Sequence, residues 1–219
     1  MNKIKWSSRR GLYAITPDEP DTLCLLEMSA RVLAACPVLL QYRNKSACPA
    51  LRLKQASRLL ALCRLAETPL IINDDLALAL ELDADGVHLG RGDGDVAQAR
   101  RALDALGPGR ILGVSCYGEW ERAAAGAAAG ADYVAFGAMF SSTTKPQVPQ
   151  APLDLLTRAR CELKPDTAVV AIGGITLENA GTLFAAGADL VAVVSDVFGA
   201  DDPTARAAAY RVAAMRRSG

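Results

Sequence analysis

The chain has 219 residues, and 24 Lys plus Arg balance 24 Asp plus Glu, so its formal charge is zero. That balance excludes a broadly basic nucleic-acid binder. With 51% hydrophobic and 22% charged residues, a disordered chain is excluded as well.

Short apolar runs rich in Val, Ile and Leu recur at 11–16, 38–43, 70–74, 86–90, 111–116, 133–138, 168–174 and 190–196. Each is too short for a helix and apolar on both faces, as a buried parallel strand should be. Between them lie Ala-, Leu- and Arg-rich segments with helical spacing, such as Leu51, Ala56, Leu59, Leu60 and Cys63 interleaved with Arg52, Lys54, Arg58 and Arg64. Three junctions repeat one pattern: LDADGV at 82–87, AGADYV at 129–134 and AGADLV at 186–191. In the last two, Gly130 and Gly187 supply a left-handed helix cap, and Asp132 and Asp189 turn the chain into the next strand. Eight such strand–helix units predict a single-domain α/β protein, a (β/α)8 TIM barrel over 11–219 after a short extension, 1–10. The rival, a doubly wound open sheet, would carry a Gly-rich phosphate loop early in the chain. The first loop, Thr16-Pro17-Asp18-Glu19-Pro20, has no Gly.

In a barrel the chemistry sits where strands end. The second run ends in Gln41-Tyr42-Arg43-Asn44-Lys45, and alternation puts Gln41, Arg43 and Lys45 on one side. Two cations there suit a phosphate or pyrophosphate, or else a surface ion pair beside a helix start. The third run ends in Asn73-Asp74-Asp75, and the fourth is followed by Gly90-Arg91-Gly92-Asp93-Gly94-Asp95. Asp75 and Asp95 have the position of helix N-caps, which leaves Asp74 and Asp93 to share a hard cation such as Mg²⁺. His88, the one histidine, reads as a hydrogen-bonded core residue, so a metal site built on histidine is excluded. Ser115 lacks the Gly-x-Ser-x-Gly frame of a hydrolase and reads as a hydrogen-bond donor, and Cys116 as an inert thiol. The long loop 139–149 carries four hydroxyls, Lys145 and two prolines, which fits phosphate binding or a plain surface loop. Gly173 and Gly174 fit the backbone phosphate site common after strand 7 of such barrels, or a tight turn into a helix.

Nine segments in one order, LYAITP, LLQYRNK, IIND, GVHLGRGD, ILGVS, ADYVAFG, SSTTK, VVAIGGIT and VVS, resemble the thiamine phosphate synthase family from about Leu12 to Val197. The resemblance implies a Mg²⁺-dependent transferase. It would join 4-amino-2-methyl-5-(diphosphooxymethyl)pyrimidine to 4-methyl-5-(2-phosphooxyethyl)thiazole, releasing pyrophosphate and thiamine phosphate. It further implies that Gln41, Tyr42, Arg43, Asn44, Lys45, Asn73, Ser115 and Lys145 bind the pyrimidine pyrophosphate. Arg43, Lys45 and Lys145 would stabilise the leaving charge. Mg²⁺ would sit on Asp74 and Asp93. The thiazole phosphate would lie on Ser142, Thr143, Thr144, Gly174, Val194 and Ser195. Three positions depart from the family's usual pattern: Arg91 stands for Gln, Ser141-Ser142 for Pro-Thr, and Asp196 for a small apolar residue after Ser195.

The resemblance also admits a thiazole tautomerase on the same barrel, or a non-catalytic precursor-binding regulator. The tautomerase branch carries a histidine after the strand 5 serine, where Tyr117 and its neighbours offer none. A regulator would be expected to have lost the acid pair, and both acids are present. The six cysteines form no Cys-x-x-Cys pair and read as reduced thiols, which with the absence of a signal-peptide pattern points to the cytoplasm. Expected partners are small-molecule substrates, with no nucleic acid and no membrane; a homo-oligomer is compatible with all of this.

Overall fold

The computed structural model describes residues 9–141 and 149–215. Eight parallel strands close into a barrel in sequence order: β1 (Gly11–Ile15), β2 (Leu39–Tyr42), β3 (Leu70–Asn73), β4 (Gly86–Leu89), β5 (Ile111–Tyr117), β6 (Tyr133–Phe136), β7 (Ala168–Ile172) and β8 (Leu190–Val193). The ring closes where β1 pairs with β8, Gly11 opposite Leu190. Seven fall inside the apolar runs read from the sequence, and β5 extends one residue beyond its run, to Tyr117. The helices of the outer layer are α1 (Thr22–Leu33), α2 (Pro49–Leu65), α3 (Leu76–Glu81), α4 (Val96–Ala105), α5 (Trp120–Ala128), α6 (Asp154–Glu162), α7 (Leu177–Ala185), a short α8 (Ser195–Phe198) and α9 (Pro203–Met215). The eighth run ends sooner as a strand than its apolar pattern suggests, because Val194 becomes the cap of α8.

Period-2 alternation divides the core in two. Tyr13, Ile15, Leu39, Ile71, Ile111, Tyr133 and Val170 pack inside the barrel. The intervening residues, such as Leu40, Ile72, Val87, Leu112, Val134 and Val169, pack outward under the helices. Helix starts follow local chemistry. Asp75 and Asp95 are the N-caps of α3 and α4, accepting from the Leu78 and Gln98 N–H groups at 2.9 and 2.7 Å. Gly130 and Gly187 take φ of +97° and +110° just after α5 and α7, as the left-handed cap requires.

The repeated Asp has a second task at the amino end of the barrel. Asp85, Asp132 and Asp189 each accept a backbone N–H from the strand before their own, Leu70, Leu112 and Val169, at 2.9, 2.9 and 2.8 Å. Asp132 and Asp189 also hold Arg100 and Arg160 at 3.0 and 2.8 Å. These acids bracket the strand pairs β3–β4, β5–β6 and β7–β8 at the end opposite the site. Replacing Asp132 with Ala should leave the Leu112 N–H without that acceptor in the core. We expect a loss of about 2–3 kcal/mol, seen as a melting temperature lower by roughly 4–12 °C with KM unchanged. A wild-type melting temperature for Asp132→Ala would show that this bond carries no weight.

Candidate active site

The rim at the carboxyl ends of the strands is built from charged side chains held by one another. On β2, Gln41 points into the barrel and is 3% exposed. Beyond it Arg43 and Lys45 share an anchor that sequence reading missed, Asp18 in the loop after β1. Arg43 Nη1 donates to Asp18 Oδ1 and Oδ2 at 3.1 and 3.3 Å, and the Lys45 backbone N–H donates to Oδ1 at 2.8 Å. The buried Thr16 hydroxyl fixes the Arg43 backbone from both sides, accepting its N–H and donating to its carbonyl.

Tyr42 and Asn44 are turned the other way. The Tyr42 hydroxyl donates to Gln55 Oε1 at 2.9 Å, and Asn44 Nδ2 donates to Gln55 Oε1 at 3.1 Å and to the Glu19 carbonyl at 2.8 Å. Their side chains face α2, because alternation along β2 that brings Gln41 inward must send Tyr42 out. These two side chains brace the loop that carries Arg43 and Lys45, and both also line the small cavity beside Asp74.

Asp74 and Asp93 meet across two loops. Asp74 sits in a left-handed conformation, φ +63°, and its N–H donates to the His88 carbonyl at 2.8 Å. Asp93 Oδ2 accepts the Gly90 N–H at 2.7 Å. The two carboxyls are hydrogen-bonded to each other, and Lys45 Nζ lies 3.1 Å from Asp74 Oδ2. Burial raises Asp93, and the neighbouring Asp74 acid raises it further. Burial alone would raise Asp74 too, yet the hydrogen bond from Asp93 and the Lys45 ammonium hold it below the usual carboxylate range. A cavity of about 40 Å³ opens beside Asp74, lined by Tyr42, Asn44, Lys45, Arg52, Asn73 and Asp75 among others.

Below the rim, Ser115 Oγ is 2.9 Å from Nε2 of His88, which is 7% exposed. β5 bulges between Ser115 and Tyr117, so Cys116 is extra in the ladder. Burial pushes the Cys116 thiol up to about 12, and it stays unreactive. At the ends of β7 and β8, Gly174 has φ +63°, Val194 caps α8, and Ser195 is its exposed first residue. The glycine pair has a reason other than ligand approach. A Cβ on Gly174 would stand 2.5 Å from the Ser141 carbonyl oxygen, and one on Gly173 2.7 Å from Ala138. The loop after β6 lies directly against them, its Met139 and Phe140 N–H groups donating to the carbonyls of Ile172 and Gly173. Ser142, Thr143, Thr144 and Lys145 lie outside the described residues.

Residues 12–197 match the thiamine monophosphate synthase family. The chain belongs to that family. It is 64% identical over 202 residues to a thiamine-phosphate synthase of Aromatoleum aromaticum, covering 92% of this chain and 95% of that protein. A thiamine-phosphate synthase of Azoarcus sp. is 61% identical over 201 residues, 92% of this chain and 95% of that one. Among solved structures, thiamine phosphate pyrophosphorylase from Pyrococcus furiosus superposes with a TM-score of 0.80 at 30% identity, covering 95% and 96% of the two chains. 3-Hexulose-6-phosphate synthase, at 20% identity and a TM-score of 0.69, shares the fold.

The positions where this thiamine monophosphate synthase chain departs from the family pattern are accommodated locally. Asp196 points away from the rim: its Oδ2 accepts from the Tyr210 hydroxyl at 2.6 Å and pairs with Arg206 at 3.5 Å, both on α9. Arg91 lies over the Tyr117 ring, 5.1 Å from its centroid, and pairs with Glu119. Ser141 Oγ accepts from Gln150 Nε2 at 3.0 Å.

His88 gives the site a measurable pH signature. Burial pushes its imidazole down to about 4 from an ordinary 6.5, with Asp74 acting weakly in the opposite sense. The folded chain then binds fewer protons than the unfolded chain between these values, so stability rises with pH there. Lowering the pH from 7 to 5 in metal-free buffer should cost about 2 kcal/mol through this one group. As the chain has a single histidine, denaturant unfolding of His88→Gln should show a correspondingly shallower loss. Equal pH slopes for the two proteins would mean that His88 is not held neutral.

Proposed function

We propose that the chain condenses 4-amino-2-methyl-5-(diphosphooxymethyl)pyrimidine with 4-methyl-5-(2-phosphooxyethyl)thiazole, giving thiamine phosphate and pyrophosphate. Family membership and the names of relatives at 61–64% identity support the activity. The observation that carries the chemistry is the acid pair Asp74–Asp93 with Lys45 and Arg43 beside it. Two carboxylates forced together from separate loops repel unless a proton or a cation lies between them. That donor set fits Mg²⁺, which takes few carboxylates and keeps oxygens of water and phosphate. On this reading the pair would be its protein ligands. Bound there, Mg²⁺ would offset the negative charge of a diphosphate.

The chain's own residues do the rest. Arg43, held flat by Asp18, presents a fixed guanidinium to an anion. Lys45, paired among the described residues with the partly exposed Asp74, can share its ammonium with a phosphate oxygen. Both stabilise charge that grows on the departing pyrophosphate. The thiazole nitrogen that attacks carries no proton, so no general base is required, in keeping with a His88 that is buried and neutral. Lys145, with Ser142, Thr143 and Thr144, joins this reading on family resemblance alone, as do Gly174, Val194 and Ser195 for the thiazole phosphate. The two small-molecule substrates are the partners on this reading. Six free cysteines are in keeping with the cytoplasm, and no helix among the described residues is long and apolar enough to cross a membrane.

The test is to supply both substrates with Mg²⁺ and measure pyrophosphate and thiamine phosphate together; equal amounts are expected. Asp93→Ala should lower kcat/KM by on the order of 10²–10³, and full activity of that variant with Mg²⁺ would overturn the metal assignment. Pyrophosphate with Mg²⁺ at about 100 times its Kd should raise the melting temperature by roughly 5–10 °C. No shift at millimolar concentrations would remove the pyrophosphate clamp.

A further inference from the structure

Five polar side chains from five different strands form one unbroken hydrogen-bond chain through the barrel interior. Gln41 Nε2 of β2 donates to the Tyr13 hydroxyl of β1 at 2.6 Å. The Tyr13 and Tyr133 hydroxyls are 2.7 Å apart, Tyr133 Oη is 3.0 Å from His88 Nδ1, and His88 Nε2 is 2.9 Å from Ser115 Oγ. Tyr13, Tyr133, Gln41 and His88 are all at most 7% exposed. The fold makes room for this arrangement. Gly113 on β5 is the reason the Tyr133 ring fits, since a Cβ there would lie 1.9 Å from it, and the ring stacks on His88 at 11° between planes.

The protons in such a chain have a direction. The Tyr13–Tyr133 contact by itself admits either donor, but with Gln41 Nε2 donating to Tyr13 the one hydrogen of this buried phenol is paired within the chain only if it goes to Tyr133. Tyr133 gives its hydrogen to His88 Nδ1. A neutral imidazole accepting at Nδ1 carries its proton on Nε2 and donates it to Ser115 Oγ. Ser115 is left with its own O–H to donate, and Gln41 keeps Oε1 as an acceptor. The opposite direction would need the Gln41 carbonyl against Tyr13 and the imidazole proton on Nδ1. Burial pushes the His88 imidazole down and both phenols up, in the same sense as this hydrogen-bond geometry.

We propose that Tyr13, Tyr133 and His88 are positioning residues that lock Gln41 as an acceptor and leave Ser115 its own O–H to donate, so that the barrel floor selects an aminopyrimidine by its amino group. This rests on the coupling reaction proposed above. An exocyclic amine donates and pyrimidine ring nitrogens accept, matching the two groups. The analogue with oxygen in place of the amine presents an acceptor to the Gln41 Oε1 acceptor, so that contact meets the wrong partner, while the Ser115 hydroxyl can turn to accept from a ring N–H.

Two measurements test it. The chain has one histidine, so nitrogen NMR of the ring reads its tautomer directly: a proton on Nε2 is expected near neutral pH, and a proton on Nδ1 would overturn the stated direction. Steady-state kinetics then compare wild type with Tyr13→Phe, Tyr133→Phe and the double variant, on the amino substrate and its oxo analogue. Each single variant should reduce the preference for the amine about tenfold with little change in KM for the thiazole phosphate. Because the residues act as one chain, the double variant should lose no more than either single one. Variants that melt lower yet keep the wild-type preference would make the chain purely structural and overturn the proposal. A wild-type protein that turns over neither pyrimidine would overturn the coupling reaction itself and the selection with it, whatever tautomer the spectrum shows.

Discussion

Alternation of side chains along parallel strands that close on themselves is the constraint on which the rest of this molecule depends. In an open sheet, a residue pointing to one face meets a helix. In a closed barrel, every second residue of all eight strands points at a common axis. Tyr13, Tyr133, His88, Gln41 and Ser115 come from five strands and up to 120 residues apart, yet the ring makes them neighbours. The same rule turns Tyr42 and Asn44 away and spends them on Gln55 and α2. A shift of register by one residue on β2 would exchange these sets, burying Tyr42 inside and moving Gln41 out.

What was legible in the sequence is what depends on near neighbours. Apolar runs bounded by turn residues mark the strands, Asp75 and Asp95 announce themselves as caps, and Gly130 and Gly187 as helix ends. The positions of Arg43, Lys45, Asp74 and Asp93 follow from their place just past a strand. Less legible was everything that two distant loops decide together. Asp18 looks like an ordinary turn residue in Thr16-Pro17-Asp18, and nothing local says that it holds both Arg43 and the Lys45 backbone. Gly113 reads as a weak point in a strand until Tyr133 is placed opposite. Gly173 and Gly174 suggest a ligand's approach, and the chain's own backbone also lies close against both. Asp196 looks repulsive beside a phosphate site, and only the return of α9 supplies the Tyr210 hydroxyl and Arg206 that draw it away.

If the rim binds a polyanion as proposed, its charges are already gathered before the polyanion arrives. Arg43 and Lys45 are two residues apart and repel each other; without counter-charges they would spread into solvent. Asp18 and Asp74 hold them near one another at 3.1 Å each. These pairs are partly exposed, so each adds little to stability. Their contribution is geometric: side-chain entropy is spent during folding rather than on binding. A diphosphate that enters does not need to gather cations, only to share them. Asp74 stands at the centre of this exchange because it touches both Lys45 and Asp93. Whatever neutralises the acid pair loosens its hold on the lysine, so under the proposed reading the ammonium would become available as an anion and its cation bind. Placing the acids on one side of Lys45 and open space on the other therefore couples the two kinds of charge, and it does so with side chains that the barrel rim already brings together.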